Sequence, residues 1–188
     1  MEPSSIRLAA DLQTDSIVDG PGLRAVLWTQ GCGHHCPNCQ NPQTWDFNGG
    51  GLVPIDMVLD AIDELVYQDG ITISGGDPMY QPEACNMIAK YCQNKGLNVW
   101  VYTGFTYEEL MEAAKKKPIY LDFLKNIDVL VDGRFIEAQK DLSLLFRGSA
   151  NQRLIDVPKT LKSGNIVLFD ENKYLGIEEE PERVPMYV

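Results

Sequence analysis

Residues 23–39 read LRAVLWTQGCGHHCPNC, an apolar run with the pattern of a β-strand that continues directly into a cysteine-rich loop. Cys32, Cys36 and Cys39 follow the spacing Cys-x3-Cys-x2-Cys, which is one ligand short of a closed four-thiolate site. Thiolates select soft metals, such as iron in clusters, zinc or copper. A cubane iron–sulfur cluster held by three cysteines keeps one iron free to bind and activate a small molecule. The stretch therefore indicates chemistry rather than a structural metal.

The residues alone leave two other interpretations of this loop open. A structural zinc site would need His34 or His35 as its fourth ligand. An electron carrier would be expected to supply a fourth cysteine. The candidates for that role, Cys85 and Cys92, lie seven residues apart in a helical pattern and hence on one face of a helix. We interpret them as buried free thiols, which behave as small hydrophobic side chains.

The composition bounds the classes to which the chain can belong. With 188 residues and a hydrophobic fraction of 44%, it has the size and the apolar content of one domain. Its net charge of −11 argues against nucleic-acid binding, because neutralising phosphates needs clustered Lys and Arg. No apolar run approaches a membrane span and residues 1–5 do not resemble a signal peptide, so we expect a cytoplasmic protein without membrane association. An odd count of five cysteines argues against a disulfide framework.

Predicted strands and helices alternate along the chain, which is the pattern of parallel βαβ units in an α/β fold. The strands that we expect are 23–30, 71–74, 99–102 and 128–131, with weaker signals at 153–157 and 166–169. The helices that we expect are 54–68, 81–94 and 106–116. The last helix begins with a predicted capping box, in which Thr106 and Glu109 satisfy each other's backbone amides.

Four unusual loops each follow one of the predicted strands directly. They are Gly31-Cys32, Gly75-Gly76-Asp77-Pro78, Thr103-Gly104 and Asp132-Gly133-Arg134. Ligands of parallel α/β proteins bind outside the carboxyl ends of the strands, so parallel strands would bring all four loops to one rim. The glycine pair would let backbone approach a ligand closely, and the arginine could clamp a carboxylate. Each motif alone is weak, and their agreement carries the prediction of a ligand site at this rim.

Together these residues resemble the radical S-adenosylmethionine (SAM) enzymes, a superfamily indicated by the cysteine triad and the Gly-Gly-Asp turn. The closer resemblance is to the activating proteins of anaerobic ribonucleoside-triphosphate reductase, over about residues 6–157. It rests on the stretches SIVDGPGLR (16–24), QNP (40–42), SGGDP (74–78), VDGRF (131–135) and FRGSANQR (146–153). The resemblance implies a partial, open (β/α) barrel with mostly parallel strands, formed by residues 1–169. Residues 170–188 would form an acidic tail that is mobile or faces a partner.

The resemblance also assigns roles to individual residues. Cys32, Cys36 and Cys39 would hold a [4Fe–4S] cluster, and SAM would chelate its fourth iron. The residues expected to contact SAM are Asn38, Cys39, Gln40, Gly75, Gly76, Asp77, Asp132, Gly133 and Arg134. No catalytic side chain is expected beyond the cluster and SAM. The sequence departs from the superfamily twice: Asn38 stands where many members have an aromatic residue, and Asp77 stands where Glu is commoner.

The implied activity is the reductive cleavage of SAM, followed by removal of a Cα hydrogen from a glycine of the reductase large subunit, which leaves a glycyl radical there. A low-potential flavodoxin or ferredoxin would supply the electron. One alternative is another radical SAM enzyme, such as a pyruvate formate-lyase activase or a small-molecule-modifying member. A second is a non-catalytic zinc or iron–sulfur module. The short chain and the late Arg-Gly-Ser stretch favour the reductase activase.

Overall fold

The strands of the protein form one mixed sheet, and the computed structural model describes residues 3–175, apart from the side chain of Lys173. The eight strands are β1 (Ser5–Leu8), β2 (Gln13–Ser16), β3 (Arg24–Thr29), β4 (Gly51–Pro54), β5 (Gly70–Gly75), β6 (Asn98–Tyr102), β7 (Val129–Asp132) and β8 (Arg153–Asp156). Along the sheet they follow the order β4-β1-β3-β5-β6-β7-β8, and β2 pairs with β3 outside this path.

The centre of the sheet is parallel, as the alternating pattern predicts. Strands β3, β5, β6 and β7 run in one direction, whereas β1, β2, β4 and β8 pair antiparallel around them. β3 is buried along nearly its whole length, because its residues pack on both faces of the sheet. The α/β class with a parallel central sheet is confirmed, and the carboxyl ends of four neighbouring strands point to one rim.

One side of the sheet, which we call the helix face, is covered by helices. Residues 3–175 contain six α-helices: α1 (Ile55–Asp63), α2 (Pro82–Asn94), α3 (Tyr107–Ala114), α4 (Ile119–Leu124), α5 (Val157–Ser163) and α6 (Glu171–Tyr174). Leu27, Ile73 and Val101 of the central strands share one hydrophobic core with Ile62 of α1 and Ile88 of α2. Cys85 and Cys92 of α2 are free and fully buried in this core, which confirms their interpretation as hydrophobic thiols.

The other side, which we call the loop face, carries the alternate side chains of the same strands. Its buried members are Trp100, Val129, Val131 and Leu154, against which Tyr102, Phe146 and Phe169 pack. The last two come from segments outside the sheet. The loop face is therefore closed by connecting segments, which leave room for a cavity at the rim.

Arg24 fills the opposite, amino-terminal end of the loop face and is fully buried. Its Nε donates to Thr72 Oγ1 at 2.7 Å, and its Nη2 donates to the backbone oxygens of Ile71 (2.6 Å) and Asn98 (3.0 Å). The guanidinium lies 5.6 Å from the centre of the Trp100 ring. Burial lowers the pKa of Arg24 to about 10, so the group stays charged at neutral pH and its bonds compensate for desolvation.

The predicted central strands and the helices 81–94 and 106–116 are confirmed with small shifts at their ends. The capping box is present with both of its hydrogen bonds: Thr106 accepts from the Glu109 amide, and Glu109 accepts from the Thr106 amide. The weaker strand prediction at 153–157 corresponds to β8.

Two element predictions are wrong in extent or in kind. The predicted helix 54–68 ends at Asp63, because Val66 and Tyr67 do not reach the core and are 74% and 82% exposed. The predicted strand 166–169 is replaced by an isolated bridge between Ile155 and Leu168.

The segment predicted as an acidic tail begins with α6. The Tyr174 ring of this helix lies 5.4 Å from the ring of Phe146. Residues 176–188 of that prediction lie outside the described residues. Among the helices of residues 3–175, none combines the length and the apolar character needed to cross a membrane.

Candidate functional site

The glycine turn after β5 packs directly against the start of the cysteine loop. Gly76 N donates to Thr29 O at 2.7 Å, and Asp77 N donates to Gly31 O at 2.9 Å. Gly75 has a φ of +106°, and a Cβ on Gly76 would lie 2.5 Å from Gly31 O. The glycine pair is therefore required by the close approach of two backbones, a reason that the sequence alone does not reveal.

The cysteine loop is shaped by two residues with positive φ, each directly before a cysteine. His35 (φ 48°) precedes Cys36, and Asn38 (φ 53°) precedes Cys39. Asn and His are among the residues that adopt this left-handed region most readily. Cys39 N donates to Cys36 O at 3.1 Å, and Asn41 N approaches Cys39 Sγ at 3.4 Å. Asn38 therefore contributes to this loop through its left-handed backbone conformation. An aromatic residue at this position would be expected to act through its side chain instead.

The thiols of the loop are partly shielded from water. Burial raises the pKa of Cys32 to about 11, although a hydrogen bond from the backbone of His34 opposes the change. Burial also raises the pKa of Cys36, against a backbone hydrogen bond from Phe135 and the positive charge of Arg134. Iron therefore has to displace protons when it binds. Backbone donors at the sulfurs are also the contacts that tune an iron–sulfur cluster.

The histidines of the loop are engaged with protein groups. His34 Nε2 lies 2.8 Å from Asp77 Oδ2, and its ring packs 4.5 Å from the ring of Phe105. The His35 ring packs edge-on to Trp45 at 4.9 Å. Within residues 3–175, no group of three His, Cys, Asp or Glu side chains has the geometry to hold a single metal ion. This arrangement does not support the zinc interpretation with a histidine ligand.

The residues present do fit an iron–sulfur cluster. Three thiols and no carboxylate form the donor set of the loop, as soft iron clusters require. A cubane spreads its three protein ligands farther apart than a single ion does. Next to the loop, Trp45 O accepts from Cys32 N at 3.1 Å, while Trp45 Nε1 is buried without a protein partner. That donor belongs to a ring packed against His35 of the loop, and it is free to bond a group that the protein itself does not supply.

Asp77 ties three of the predicted loops together with a carboxylate that is almost fully buried. It accepts from Thr103 Oγ1 at 3.0 Å, from Gly104 N at 2.9 Å and from Met79 N at 2.9 Å, in addition to its contact with His34. Both oxygens of its carboxylate therefore already have partners within the protein. A cofactor at this residue would be contacted by backbone atoms of Asp77.

Asp132 is held in a similar way, at the end of β7. Its buried carboxylate pairs with the guanidinium of Arg153 and accepts from the backbone of Tyr107 at the start of α3 at 2.8 Å. Arg153 also binds Glu108 with both terminal nitrogens. These hydrogen bonds raise the pKa of Arg153 and lower that of Glu108. The acid of the Asp-Gly-Arg motif thus fixes the position of β7 relative to α3.

The late Asn-Gln-Arg stretch braces the Asp-Gly-Arg loop. Asn151 Nδ2 donates to Arg134 O at 2.8 Å, and Gln152 Nε2 donates to Gly133 O at 3.0 Å. From the other side, Gly133 N donates to Phe105 O at 3.0 Å. Two motifs that the sequence presents separately are therefore one structural unit.

A cavity of about 320 Å³ opens on the loop face, beside the cysteine loop. Cys39 and Gln40 form part of its wall, Tyr102 lies on the sheet side, and Phe146 and Arg147 come from the late motif. Tyr102 and Arg147 are site residues that sequence reasoning missed, although the Arg-Gly-Ser stretch was a usable signal for the second. We call this cavity the loop-face pocket.

The predicted cofactor residues do not all line that pocket. Cys39 and Gln40 do, whereas Asp132, Gly133 and Arg134 line a separate depression at the rim. The charge of Arg134 nevertheless reaches Cys36. The structure thus groups the predicted residues around the cysteine loop, on two sides of it.

Comparisons with known proteins agree with this donor set. A family described as a 4Fe-4S single cluster domain matches residues 18–155. The anaerobic ribonucleoside-triphosphate reductase-activating protein of Salmonella typhi is 38% identical over 144 residues, covering 72% of this chain and 90% of that protein. The protein of that name from Escherichia coli K12 is 39% identical over 145 residues, with the same shares. The one from Enterobacteria phage T4 is 34% identical over 146 residues, covering 73% of this chain and 86% of that protein.

Among solved structures, QueE from Escherichia coli has a TM-score of 0.43 and 16% identity, over 54% of each chain. The family assignment comes from the sequence relatives, whose similarity extends over most of both chains. The matched range 18–155 also contains the whole cysteine loop. The chain therefore belongs to the family of anaerobic ribonucleoside-triphosphate reductase-activating proteins.

Proposed function

We propose that this protein binds SAM at a [4Fe–4S] cluster held by Cys32, Cys36 and Cys39, and that it generates a glycyl radical on an anaerobic ribonucleoside-triphosphate reductase. When bound and reduced by one electron, the cluster and SAM would supply methionine and a 5′-deoxyadenosyl radical, and this radical would take a Cα hydrogen atom from a glycine of the protein substrate to give 5′-deoxyadenosine. The observation that carries the proposal is the position of Cys39 and Gln40 in the wall of the loop-face pocket. A substrate segment in that pocket lies next to the cysteine loop.

The chain's own residues position the reactants. The N–H groups of Gly76 and Asp77 donate to Thr29 at the end of β3 and to Gly31 at the start of the cysteine loop. A ligand amine at this turn would therefore donate to carbonyl oxygens of Gly75 and Gly76. Arg134, whose charge is felt at Cys36, favours an anionic ligand set on that side. Asn38 and Gln40 would contact the adenosine part of SAM from beside the third cysteine.

The loop-face pocket gives the reaction a shielded setting. Its aromatic wall includes Trp28, Tyr102 and Phe146, and the hydroxyl of Tyr102 is bonded to Phe146 O at 2.7 Å. Burial raises the pKa of Tyr102 far above its ordinary value, so the phenol stays neutral. No general base is needed for hydrogen-atom removal, so a neutral phenol in the pocket wall is compatible with the reaction.

The proposed partners follow from the reaction. The protein substrate is the large subunit of the reductase, and a low-potential flavodoxin or ferredoxin supplies the electron. A chain with a net charge of −11 is unsuited to bind nucleic acid. Five free cysteines suit a reducing compartment, and we propose a cytoplasmic location on that ground.

Anaerobic reconstitution with iron and sulfide, followed by SAM and dithionite, tests the proposal through the amount of 5′-deoxyadenosine formed. Adding the reductase should then produce the electron paramagnetic resonance signal of a glycyl radical. Cys36→Ala should abolish both cluster and cleavage, while Cys92→Ala, a matched change of a thiol buried in α2, should retain both. A Cys36→Ala protein with full activity would overturn the ligand assignment.

The same experiment separates the alternatives. SAM cleavage without a glycyl radical on the reductase would indicate another radical SAM enzyme, one that modifies a different substrate. A reconstituted cluster that leaves SAM intact under strong reductant would indicate a non-catalytic iron–sulfur module.

A further inference from the structure

After β8 and α5 the chain returns to the loop face, where residues 169–175 lie. Phe169 N donates to Leu154 O at 2.8 Å, and the Phe169 ring packs 5.2 Å from the ring of Trp100. Tyr174 of α6 then contacts Phe146. This segment lies beyond the 18–155 range that the cluster-domain family matches. The chain thus adds a short C-terminal element beside the wall of the loop-face pocket.

Arg147 connects the pocket to this element. Its side chain lines the pocket and is only 16% exposed, and its Nη1 lies 2.9 Å from Oε1 of Glu171 in α6. Its Nε is buried and has no hydrogen-bond partner. A guanidinium offers five N–H donors in a planar fork, and it binds a carboxylate best with two of them in parallel. Arg147 therefore keeps donor capacity that Glu171 does not use.

The backbone before Arg147 is strained. Phe146 has a φ of +52°, which is rare for an aromatic residue and costs about 1 kcal/mol. The conformation is held by the bond from Tyr102 to Phe146 O and by the packing of the Phe146 ring on Trp100 at 5.4 Å. Strain of this kind persists where the surroundings fix it and is concentrated at binding sites. Here it sets the position from which Arg147 enters the pocket wall.

We propose that the Arg147–Glu171 ion pair is a latch on the loop-face pocket, and that a carboxylate of the protein substrate replaces Glu171 at Arg147 when the substrate binds. The inference rests on the proposed function and names one recognition group within it. Glu171 pairs with the charge of the guanidinium in the free protein, which avoids an unpaired buried charge, although it leaves Nε without a partner. An incoming carboxylate that bonds Nε as well gains a contact that the latch lacks.

The latch is weak enough to open. Glu171 is 30% exposed and contacts Arg147 through one oxygen, and partly exposed ion pairs contribute little to stability. Among the described contacts of α6 are the ring contact of Tyr174 with Phe146 and the backbone bonds of a four-residue helix. A carboxylate arriving with a docked protein therefore competes with a single local glutamate.

Affinity measurements on the reconstituted protein with SAM, using the reductase large subunit as probe, test the latch. Glu171→Gln removes the internal competitor and should lower the Kd for the reductase about twofold to fivefold, in line with the strength of such pairs. Arg147→Gln should raise the Kd, and adding Glu171→Gln to Arg147→Gln should have no further effect. Glu112→Gln, which breaks an exposed ion pair with Lys115 on α3, should behave like the unchanged protein.

Three outcomes would overturn the latch. They are an unchanged or higher Kd for Glu171→Gln, additive effects in the double variant, and a change in the Kd for SAM with none for the reductase, which would place the SAM carboxylate at Arg147. SAM cleavage by the unchanged protein without reductase is measured in the same samples. Its absence would refute the proposed function, whereas cleavage with an unaltered reductase Kd in Glu171→Gln would refute the latch alone.

Hydrogen exchange on the unchanged protein provides a second test that does not depend on the folding of any variant. In the unchanged reconstituted protein, the amides of residues 171–175 should exchange faster when the reductase is added, because Glu171 loses its partner. Unchanged or slower exchange in that segment would contradict the replacement of Glu171 at Arg147.

Discussion

His34 Nε2 lies 2.8 Å from Asp77 Oδ2, and this contact joins the cysteine loop to the Gly-Gly-Asp-Pro turn 43 residues later. The same carboxylate holds Thr103 and Gly104 of the next loop. Asp77 thus organises the rim from the inside, through bonds that are shielded from water. The Asp77 side chain therefore connects the loops that form the proposed cofactor site.

Asp77→Ala should therefore destabilise the fold. Its loss leaves buried donors unpaired, and we expect the free energy of unfolding of the metal-free protein to fall by about 3 kcal/mol. Iron bound after reconstitution should fall as well. Denaturant titration and iron analysis measure the two effects. Asp122→Ala, which removes an exposed carboxylate paired with Lys125, should change the stability by less than about 0.5 kcal/mol; equal losses in both variants would contradict this role of Asp77.

Gly76→Ala should disrupt the contact between the glycine turn after β5 and the backbone of Gly31 at the start of the cysteine loop. The new Cβ would lie 2.5 Å from Gly31 O, and backbone atoms cannot move aside cheaply. We expect a loss of about 2 kcal/mol in unfolding free energy. Gly51→Ala is the matched control, because no heavy atom lies within 4 Å of its Cβ position. The idea fails if thermal melts of the two variants coincide.

Asn38 offers a test of backbone conformation in the cysteine loop. Asn38→Val places a β-branched residue at a φ of 53°, and we expect it to cost about 1–2 kcal/mol and to lower the yield of cluster on reconstitution. Asn38→Gly fits the same conformation and should retain the cluster. Absorbance of the reconstituted cluster measures the yield. Equal yields in the two variants would contradict the argument that the backbone conformation at residue 38 limits cluster assembly.

Glu108 should contribute a small, pH-dependent stabilisation. Hydrogen bonds from Arg153 lower the pKa of its carboxyl group, so the contribution is present above the ordinary glutamate pKa and is lost as pH falls through the lowered value. The side chain is 60% exposed, so Glu108→Gln should cost at most about 1 kcal/mol at pH 7. The difference between variant and unchanged protein should vanish in acid. Chemical denaturation across pH checks this, and a difference that persists at low pH would refute the assignment.

Most of the central sheet could be predicted, because its strands are apolar on both faces and each ends in a glycine-containing loop. The convergence of the four loops at one rim followed from the parallel arrangement alone. The outer strands β1, β2 and β4 could not be predicted. Each has only four residues, and their pairing depends on neighbours that are distant in the chain.

Within the candidate site, the cysteines and their order were predictable, whereas the partners of the other motif residues were not. Nothing local in the sequence indicates that His34 contacts Asp77 or that Gln152 holds Gly133, since these contacts join residues far apart in the chain. Arg147 shows the same limit, because its partner Glu171 lies in a segment whose pattern indicates only an acidic tail. Long-range polar pairs are set by the fold, and a single sequence carries no signal for them.

The bracing of the Asp-Gly-Arg loop by Asn151 and Gln152 has a consequence for biosynthesis. The cysteine loop and its anchor at Trp45 emerge from the ribosome long before the segment that supplies the far wall of the pocket. A nascent chain therefore exposes its thiols before it can shelter them. Insertion of iron and sulfide is therefore best timed after residues 146–153 have folded against the Asp-Gly-Arg loop and completed the pocket wall.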